Sequence, residues 1–296
     1  MQYYNQNTLI YFNGEFAKAH SAGVDLFGQS LHYGYGAFEG LRAYATHNGT
    51  RIFKAEEHFE RLKNSCEAIG IDYHWNNQDL IEKTYKLLGL NNLRSAYIRP
   101  LVFSGSNMHL NADSESSLMI AAWEWGPYLG HNLLRVFTSS IERPTPKSFR
   151  IDAKVSGQYI NSILATSEAL KNGYDEALLL DQNGFVAQAS SENLFIEKDY
   201  TIYTPPLSNI FPGITRQTVI DICQELNFDL VEKNLTIQDV HEADSAFLCG
   251  TAAEIIGIKE VDQIIYQEEW EHTIGASIQR KYKNLVLEQE NYEVII

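Results

Sequence analysis

Lys154 lies in a neutral stretch of the sequence, after Ala153 and before Val155-Ser156-Gly157. The next charged residue downstream is Glu168. A lysine with so few charged neighbours can be partly desolvated, and desolvation favours the neutral amine that forms a Schiff base with an aldehyde. Taken alone, however, the segment favours an ordinary lysine whose stem packs while its ammonium group reaches water.

Two further segments have the composition of ligand-binding turns. Phe211-Pro212-Gly213 precede a helical pattern, and free N–H groups at a helix start bind phosphate well, with help from a hydroxyl such as that of Thr215. A routine helix cap is the more common interpretation. Gly250-Thr251-Ala252-Ala253 follow a short apolar run, and such small residues let the backbone approach a ligand closely. A tight structural turn is an equal alternative.

Aromatic residues and arginines alternate in the first half of the chain, at Tyr33, Phe38, Arg42, Tyr97 and Arg99. Aromatic side chains at these spacings are most often part of a core. The two arginines are harder to explain by packing, because a buried guanidinium group needs an anionic partner.

The elements that must position these residues divide the chain in two, and we predict an α/β fold. Strands and helices are predicted in both halves, and Gly126-Pro127-Tyr128-Leu129-Gly130 has the composition of a linker. We predict a small N-terminal α/β domain (1–125), a linker (126–132) and a larger, β-rich α/β domain (133–296) that carries Lys154. A site between the two domains is expected.

Composition excludes several classes of protein. The formal net charge is −15, which argues against a nucleic-acid partner because phosphate backbones need a basic face. Three scattered cysteines support neither a disulfide framework nor a metal site. The start of the chain lacks a signal-peptide pattern, and no apolar run is long enough to cross a bilayer. We predict a cytoplasmic protein with no membrane partner.

The order of motifs resembles that of the branched-chain amino acid aminotransferases, which are class IV aminotransferases with the fold-type IV architecture of pyridoxal 5'-phosphate (PLP) enzymes. The resemblance runs from about Leu9 to Val261. The motifs that carry it are Tyr33-Gly34-Tyr35-Gly36-Ala37-Phe38-Glu39-Gly40-Leu41-Arg42, Ser95-Ala96-Tyr97-Ile98-Arg99-Pro100, Trp125-Gly126-Pro127-Tyr128-Leu129-Gly130, Ala153-Lys154, Ser191-Glu192-Asn193-Leu194-Phe195, Pro212-Gly213-Ile214-Thr215-Arg216 and Gly250-Thr251-Ala252-Ala253-Glu254.

The resemblance implies a role for each matching residue. Lys154 would be the catalytic lysine, which carries PLP and moves the proton of the substrate's α-carbon. Tyr159 would bind the cofactor's phenolic oxygen. The phosphate group would be bound by Arg61, Ile214, Thr215 and Thr251. The resemblance also implies transamination between leucine, isoleucine or valine and 2-oxoglutarate, in two half-reactions, with these residues around the substrate: Tyr33, Phe38, Arg42, Tyr97, Arg99, Trp125, Tyr128, Tyr159, Thr251 and Ala252.

Gln188 departs from the family pattern. The family has a glutamate against the pyridine nitrogen of PLP, and the count from Lys154 and from Ser191-Glu192-Asn193 places that position at Gln188. A carboxylate keeps the ring nitrogen protonated, whereas a neutral amide can only form a hydrogen bond. Transamination with a neutral ring or a bridging water, another PLP reaction, and a weakly active PLP binder all remain open. We predict that Gln188→Glu speeds removal of the α-proton.

Other functions on the same scaffold are the main rivals. They include D-amino acid aminotransferases and aminodeoxychorismate lyases, against which the segments 38–42 and 97–99 argue, and also amine aminotransferases. The rival from another class is a noncatalytic cofactor-binding protein. Residues 105–117 are predicted to form a mobile loop that, by the resemblance, enters the active site of a partner subunit, so a homodimer or a larger homo-oligomer is expected.

Overall fold

The structure is a computed structural model that describes residues 3–113, 115–130 and 132–289. Ser114 of the predicted loop, His131 of the predicted linker and the last residues of the predicted second domain lie outside this range. Two compact units are present. The first contains residues 1–126 and 153–159, and the second contains residues 127–152 and 160–296.

Lys154 belongs to the first unit, although the sequence prediction placed it in the second domain. The reason is a short strand contact in which Val155 pairs with Ala37, while the Phe38 N–H donates to the Lys154 carbonyl at 3.0 Å. Residues 153–159 therefore pack as an excursion of the chain back onto the first unit. The division into domains stays a prediction, which limited proteolysis would test.

The first unit combines one sheet with three α-helices among its described residues. Its strands are β1 Leu9–Phe12, β2 Glu15–Lys18, β3 Gly36–Phe38, β4 Leu41–Thr46, β5 Gly49–Ile52, β6 Ala96–Ser104 and β7 Ser116–Trp123. Its helices are α1 Gln29–Tyr33, α2 Ala55–Ala68 and α3 Asn77–Leu90, with short 3-10 helices at Ala19–Ser21 and Ser156–Gln158.

The sheet of the first unit is antiparallel, in the order β2-β1-β7-β6-β4-β5, and β3 pairs with β6. The predicted hairpin at the start is confirmed: Asn13 and Gly14 have positive φ angles of 45° and 98° between β1 and β2. The apolar faces of α2 and α3 contribute Phe59, Leu62 and Leu87 to the core. Strand β3 is thus held by its pairing with β6 in this sheet.

The second unit has nine strands and four α-helices among its described residues. Its strands are β8 Leu134–Thr138, β9 Glu176–Leu180, β10 Val186–Ala189, β11 Asn193–Lys198, β12 Thr201–Thr204, β13 Leu230–Glu232, β14 Ser245–Gly250, β15 Glu254–Val261 and β16 Ile264–Ile265. Its helices are α4 Tyr159–Lys171, of which Tyr159 packs with the first unit, α5 Ile214–Glu225, α6 Ile237–His241 and α7 Ile274–Leu287, with a 3-10 turn at Trp270–His272.

The sheet of the second unit is mixed, in the order β10-β9-β8-β15-β14-β11-β12-β13. Strand β8 is parallel to both of its neighbours, β9 and β15, whereas β14 is antiparallel to β11 and β15. The predicted hairpin at Asn183-Gly184 is confirmed between β9 and β10, with Gly184 at φ 80°. The hairpin from β14 to β15 places Thr251 and Ala252 at its tip.

The final helix differs from the prediction of one continuous helix over residues 270–287. A 3-10 turn comes first, and Thr273 then caps α7 by accepting a hydrogen bond from the Ala276 N–H. A threonine side chain at such a position competes for the backbone N–H groups and starts a new helix. None of the helices in the described parts of the chain is long and apolar enough to cross a membrane, and the cytoplasmic location stays a prediction.

Candidate active site

Lys154 is held at both ends of its backbone. Its N–H donates to the Ser65 hydroxyl at 3.0 Å, and its carbonyl accepts from Phe38. Gly157 follows, and its N–H donates to the Gly34 carbonyl at 3.0 Å. Gly34 has φ 66°, and a Cβ there would lie 2.6 Å from the Gly157 Cα, so glycine is required at this crossing. These contacts determine where the lysine side chain starts.

The amine of Lys154 lies between two aromatic rings. Its Nζ donates to the Tyr159 hydroxyl at 2.5 Å and stands 5.1 Å from the centre of the Phe38 ring. The two rings meet edge to face with their centres 4.8 Å apart. The side chain is therefore directed by a polar contact at its tip and by apolar surface along its stem, as a lysine that must present its amine to a ligand requires.

Helix α2 supports this region through one face. His58, Arg61 and Ser65 are spaced three and four residues apart, so they project from the same side of the helix. The carboxylate of Glu39, which follows β3, receives two of these side chains: Arg61 Nε and Nη2 donate at 2.6 and 2.9 Å, and His58 Nδ1 lies at 2.8 Å. Sequence reasoning gave Glu39 no role, because its partner Arg61 is 22 positions away.

Burial controls the charges in this network. Burial raises the pKa of Glu39, but the Arg61 charge and the hydrogen bonds from His58 and Arg61 outweigh it and hold that pKa far below its ordinary value. Burial lowers the pKa of His58 more strongly than Glu39 raises it. His58 is therefore neutral, and it donates its Nδ1 proton because an ionised carboxylate only accepts. One full negative charge faces the Arg61 guanidinium group.

The neutral state of His58 should make stability depend on pH. The unfolded chain protonates this histidine near its ordinary pKa of 6.5, whereas the folded protein does so only at a lower pH. Below about pH 6.5 the unfolded state binds the extra proton, so stability falls as pH falls. We expect the free energy of unfolding to drop between about pH 7 and pH 5 by at most about 1.4 kcal/mol per pH unit from this group. Glu39 adds a second loss below its unfolded pKa of 4.5.

Urea unfolding of the wild type and of His58→Asn at several pH values measures this effect. Asparagine keeps an N–H donor for Glu39 but does not titrate. The slope between about pH 7 and pH 5 should therefore be smaller in the variant by the contribution of one proton. Parallel slopes in the two proteins would show that folding does not change the pKa of His58 and would contradict the expectation.

Arg99 and Tyr97 project from β6 beside Phe38. The Arg99 guanidinium carbon lies 4.6 Å from the centre of the Phe38 ring and 5.4 Å from that of Tyr97, and Arg99 Nη2 donates to the Tyr97 hydroxyl at 3.2 Å. The Arg99 Nε is buried and has no hydrogen-bond partner among the described residues. A buried N–H donor without an acceptor is costly, so this atom is suited to an anionic ligand.

The other residues of the predicted substrate pocket in this unit have mixed surroundings. Trp125 meets Tyr97 edge to face with ring centres 4.7 Å apart. Arg42 donates to the Trp125 and Gly126 carbonyls, each at 3.1 Å, so it shapes the chain after β7. The Tyr33 hydroxyl donates to the Met108 carbonyl at 3.3 Å, which ties α1 to the segment before β7.

The predicted phosphate-binding helix end is present in the second unit. Helix α5 begins at Ile214 after Gly213, and no side chain caps it. The Asn193 side chain donates to the Phe211 carbonyl at 3.0 Å, and a Cβ on Gly213 would lie only 2.1 Å from Asn193 Oδ1. Asn193 therefore positions the turn that leads to the first free N–H groups of α5, which are a suitable donor set for phosphate.

Glu192 packs against Gly250, at the strand end next to the hairpin tip that carries Thr251 and Ala252. A Cβ on Gly250 would lie 3.3 Å from the Glu192 Cγ, so the strand end rests closely on that side chain. Glu192 itself accepts a hydrogen bond from the Ser191 hydroxyl at 2.5 Å. Residues 191–193 belong to a sequence motif, but the contacts of Glu192 with Gly250 and of Asn193 with Phe211 join distant segments and required the structure.

Gln188 lies in β10 and is 4% exposed. Its Oε1 accepts from the Phe211 N–H at 2.7 Å, and its Nε2 donates to the Ala189 carbonyl at 3.2 Å. The amide is thus attached to the turn that leads into α5. The structure brings Lys154, Tyr159, Phe38, Tyr97, Arg99 and Trp125 together in the first unit. In the second unit, Gln188 is bonded to the turn that precedes Ile214 and Thr215. Tyr128, also in the second unit, is 40% exposed.

Comparison with known proteins identifies the family. The sequence model of the family described as amino-transferase class IV matches residues 36–261 of the 296-residue chain. The chain belongs to the class IV aminotransferase family. The range matched by this aminotransferase family contains every predicted site residue except Tyr33.

Relatives of this class IV aminotransferase carry more specific names. A protein of Pseudomonas aeruginosa named branched-chain-amino-acid aminotransferase is 41% identical over 288 residues, which cover 95% of this chain and 94% of the relative. A branched-chain aminotransferase structure from Thermoproteus uzoniensis with norvaline has a TM-score of 0.92 and 35% identity over 96% of each chain. A branched-chain amino acid aminotransferase structure from Thermobaculum terrenum in its PLP-form has a TM-score of 0.90 and 28% identity, over 97% of this chain and 96% of that one. The predicted fold class is thereby confirmed, and the rival functions are not favoured.

Proposed function

We propose that this aminotransferase moves the amino group of leucine, isoleucine or valine to 2-oxoglutarate, with PLP as cofactor, giving branched 2-oxo acids and L-glutamate. The observation that carries the proposal is the set of groups around Phe38. The Lys154 amine and the Arg99 guanidinium group both lie against this one apolar ring, 5.1 and 4.6 Å from its centre. A pocket that takes both leucine and glutamate needs a reactive amine, an apolar wall and a positive charge within reach of a longer acid.

The residues present fit a PLP cofactor. When bound, PLP supplies an aldehyde for the lysine and a ring that accepts electrons from the substrate carbon. Lys154 would hold the aldehyde carbon and afterwards carry the α-proton on Nζ, and the Tyr159 hydroxyl would orient the ring through its phenolic oxygen. The uncapped start of α5 at Ile214 and Thr215, with Thr251 and Arg61, would bind the phosphate.

Arg61 suits this role because its orientation is already determined. The two hydrogen bonds to Glu39 use Nε and Nη2 in the planar geometry that a guanidinium group prefers. The side chain is 14% exposed, so it is restrained before any ligand arrives. A preorganised cation loses less conformational entropy on binding phosphate than a free surface arginine does.

Substrate selection would follow from the remaining side chains. Phe38, Tyr97 and Trp125 offer aromatic surface to a branched aliphatic side chain, and Arg99 offers its unsatisfied Nε to the second carboxylate of glutamate. The backbone of Thr251 and Ala252 would receive the substrate's α-carboxylate. Tyr33, Arg42 and Tyr128 would complete the pocket, with Arg42 acting through the chain segment whose carbonyls it binds.

A panel of amino donors with 2-oxoglutarate tests the function. Purified holoenzyme should form glutamate fastest from L-leucine, L-isoleucine or L-valine, and much more slowly from L-aspartate, D-alanine or an aromatic amine. Glutamate formation from each donor is measured by a coupled assay at equal donor concentrations. A preference for D-alanine, or release of ammonia without glutamate, would replace the proposal by one of the rival reactions.

We also propose that the chain assembles as a homodimer or a larger homo-oligomer. Residues 24–31 expose large apolar side chains: Val24, Leu26, Phe27 and Leu31 have exposed fractions of 59%, 71%, 64% and 59%. A groove of about 570 Å³ lies beside them and is lined mainly by apolar residues such as Phe12, Leu101 and Met119. Contiguous apolar surface of this kind is typical of subunit interfaces. A sedimentation mass near the 33.7 kDa of one chain would contradict the proposal.

A further inference from the structure

The orientation of the Gln188 amide is determined by the backbone. The Phe211 N–H can only donate, so the amide atom that faces it at 2.7 Å must be the oxygen Oε1. The nitrogen Nε2 therefore takes the other branch of the side chain. A glutamate at this position would use one oxygen for Phe211 and present a second acceptor there. Gln188 presents a donor instead.

The Nε2 atom has one hydrogen to spare. One of its two hydrogens is directed to the Ala189 carbonyl at 3.2 Å. For the second hydrogen, the described residues provide no acceptor. The side chain is 4% exposed, so water replaces such an acceptor only poorly. A buried N–H with this requirement selects for a ligand atom that accepts a hydrogen bond.

Carboxylates on adjacent segments are engaged by other donors, and Asp181 accepts from Asn183, Phe185 and Asn209. Glu192 accepts from both the Ser191 N–H, at 3.2 Å, and the Ser191 hydroxyl. Glu176, on the neighbouring strand β9, accepts from the Ala177 N–H at 2.7 Å, and burial raises its pKa, which favours its uncharged form. The polarity at position 188 is therefore set by the amide itself.

The anchoring of Gln188 links it to the phosphate site. Phe211, which holds Oε1, comes two residues before Gly213, the residue from which α5 starts. Asn193 holds the carbonyl of the same Phe211. The backbone turn that would present N–H groups to the cofactor's phosphate therefore also orients the Gln188 amide.

We propose that Gln188 donates a hydrogen bond from Nε2 to the pyridine nitrogen of the cofactor and keeps that nitrogen unprotonated. This inference rests on the proposed function, since it requires PLP on Lys154. An unprotonated pyridine nitrogen accepts a hydrogen bond, whereas a protonated one would place two donors against each other. The ring then withdraws electrons less strongly, and the transfer of the α-proton to Lys154 depends more on how the Tyr159 hydroxyl positions the lysine amine.

Nitrogen-15 NMR of the holoenzyme reads the protonation state directly. The protein is loaded with PLP labelled with nitrogen-15 in the ring, and spectra are recorded from about pH 6 to pH 9. We expect the wild-type resonance to stay at the position of an unprotonated pyridine across this range. In Gln188→Glu it should move to the position of a pyridinium ion, because the carboxylate stabilises a proton-bearing nitrogen.

A second variant separates a direct contact from a distant effect. Gln188→Met keeps the length of the side chain but lacks the donor, so the ring resonance should shift from its hydrogen-bonded position and PLP should dissociate about tenfold more readily. A protonated ring nitrogen in the wild type would overturn the inference. An identical ring resonance in the wild type and Gln188→Met would overturn it as well.

The wild-type spectrum alone decides the inference if a variant fails to fold. Failure of the proposed function has a different signature in the same sample. Borohydride reduction followed by peptide mapping shows whether the labelled cofactor is attached to Lys154. A cofactor attached there with a protonated ring overturns only the inference about Gln188, whereas a cofactor absent from Lys154 overturns the proposed function.

Discussion

Replacing Lys154 by alanine is expected to lower the rate of amino transfer by at least about a thousandfold. In the proposed function the Nζ atom holds the cofactor and carries the substrate's α-proton; it lies 2.5 Å from the Tyr159 hydroxyl and against the Phe38 ring. No other lysine or histidine in the described residues is placed beside both of these rings. The loss should appear in the first turnover with L-leucine, when product release does not limit the rate.

Three controls show whether the effect is chemical. Lys147→Ala removes an exposed lysine and should leave the rate unchanged. Lys154→Arg keeps the positive charge but has no amine that can lose its proton near neutral pH, so it should be as inactive as the alanine variant. Addition of methylamine should restore part of the rate in Lys154→Ala, which a folding defect would not allow. Activity above about a tenth of wild type in Lys154→Ala would contradict the assignment.

Arg99→Gln is expected to separate the two substrates of the reaction. The value of kcat/KM for 2-oxoglutarate should fall about a hundredfold, which corresponds to about 3 kcal/mol and is typical of a charge-assisted pair of hydrogen bonds to a carboxylate. The reaction with L-leucine should change by less than about threefold, because leucine has no second carboxylate and uses the apolar walls. Glutamine is polar and keeps part of the length of the arginine side chain, so the substitution mainly removes the positive charge.

Steady-state kinetics with each substrate varied in turn measures this difference. Arg94→Gln is a matched control, since Arg94 is an exposed arginine just before the same strand β6. It should leave both kcat/KM values unchanged. Equal losses for 2-oxoglutarate and leucine in Arg99→Gln would mean that Arg99 supports the pocket through its stacking on Phe38 and Tyr97, without binding the second carboxylate.

Local signals in the chain were sufficient for the elements around the site. The turns at Asn13-Gly14 and Asn183-Gly184, the strand β8 and the start of α5 after Gly213 all depend on backbone conformations and hydrogen bonds between near neighbours. Neighbouring residues are present in any window of the sequence, so their preferences can be read without the fold. The strands β12 and β13 and the helix α6 were not predicted, because they span only four, three and five residues and show little periodicity.

The order of motifs also indicated the family, the lysine proposed as catalytic and the departure at Gln188, since these depend on residue identity and spacing along the chain. The contacts that give those residues their properties needed the folded chain. Ser65 reaches Lys154 across 89 positions, Glu39 reaches Arg61 across 22, and Phe211 turns the Gln188 amide from 23 positions away. Such pairs form only when separate strands and helices pack, so a residue's type can be known while its partner, charge state and orientation are still undecided.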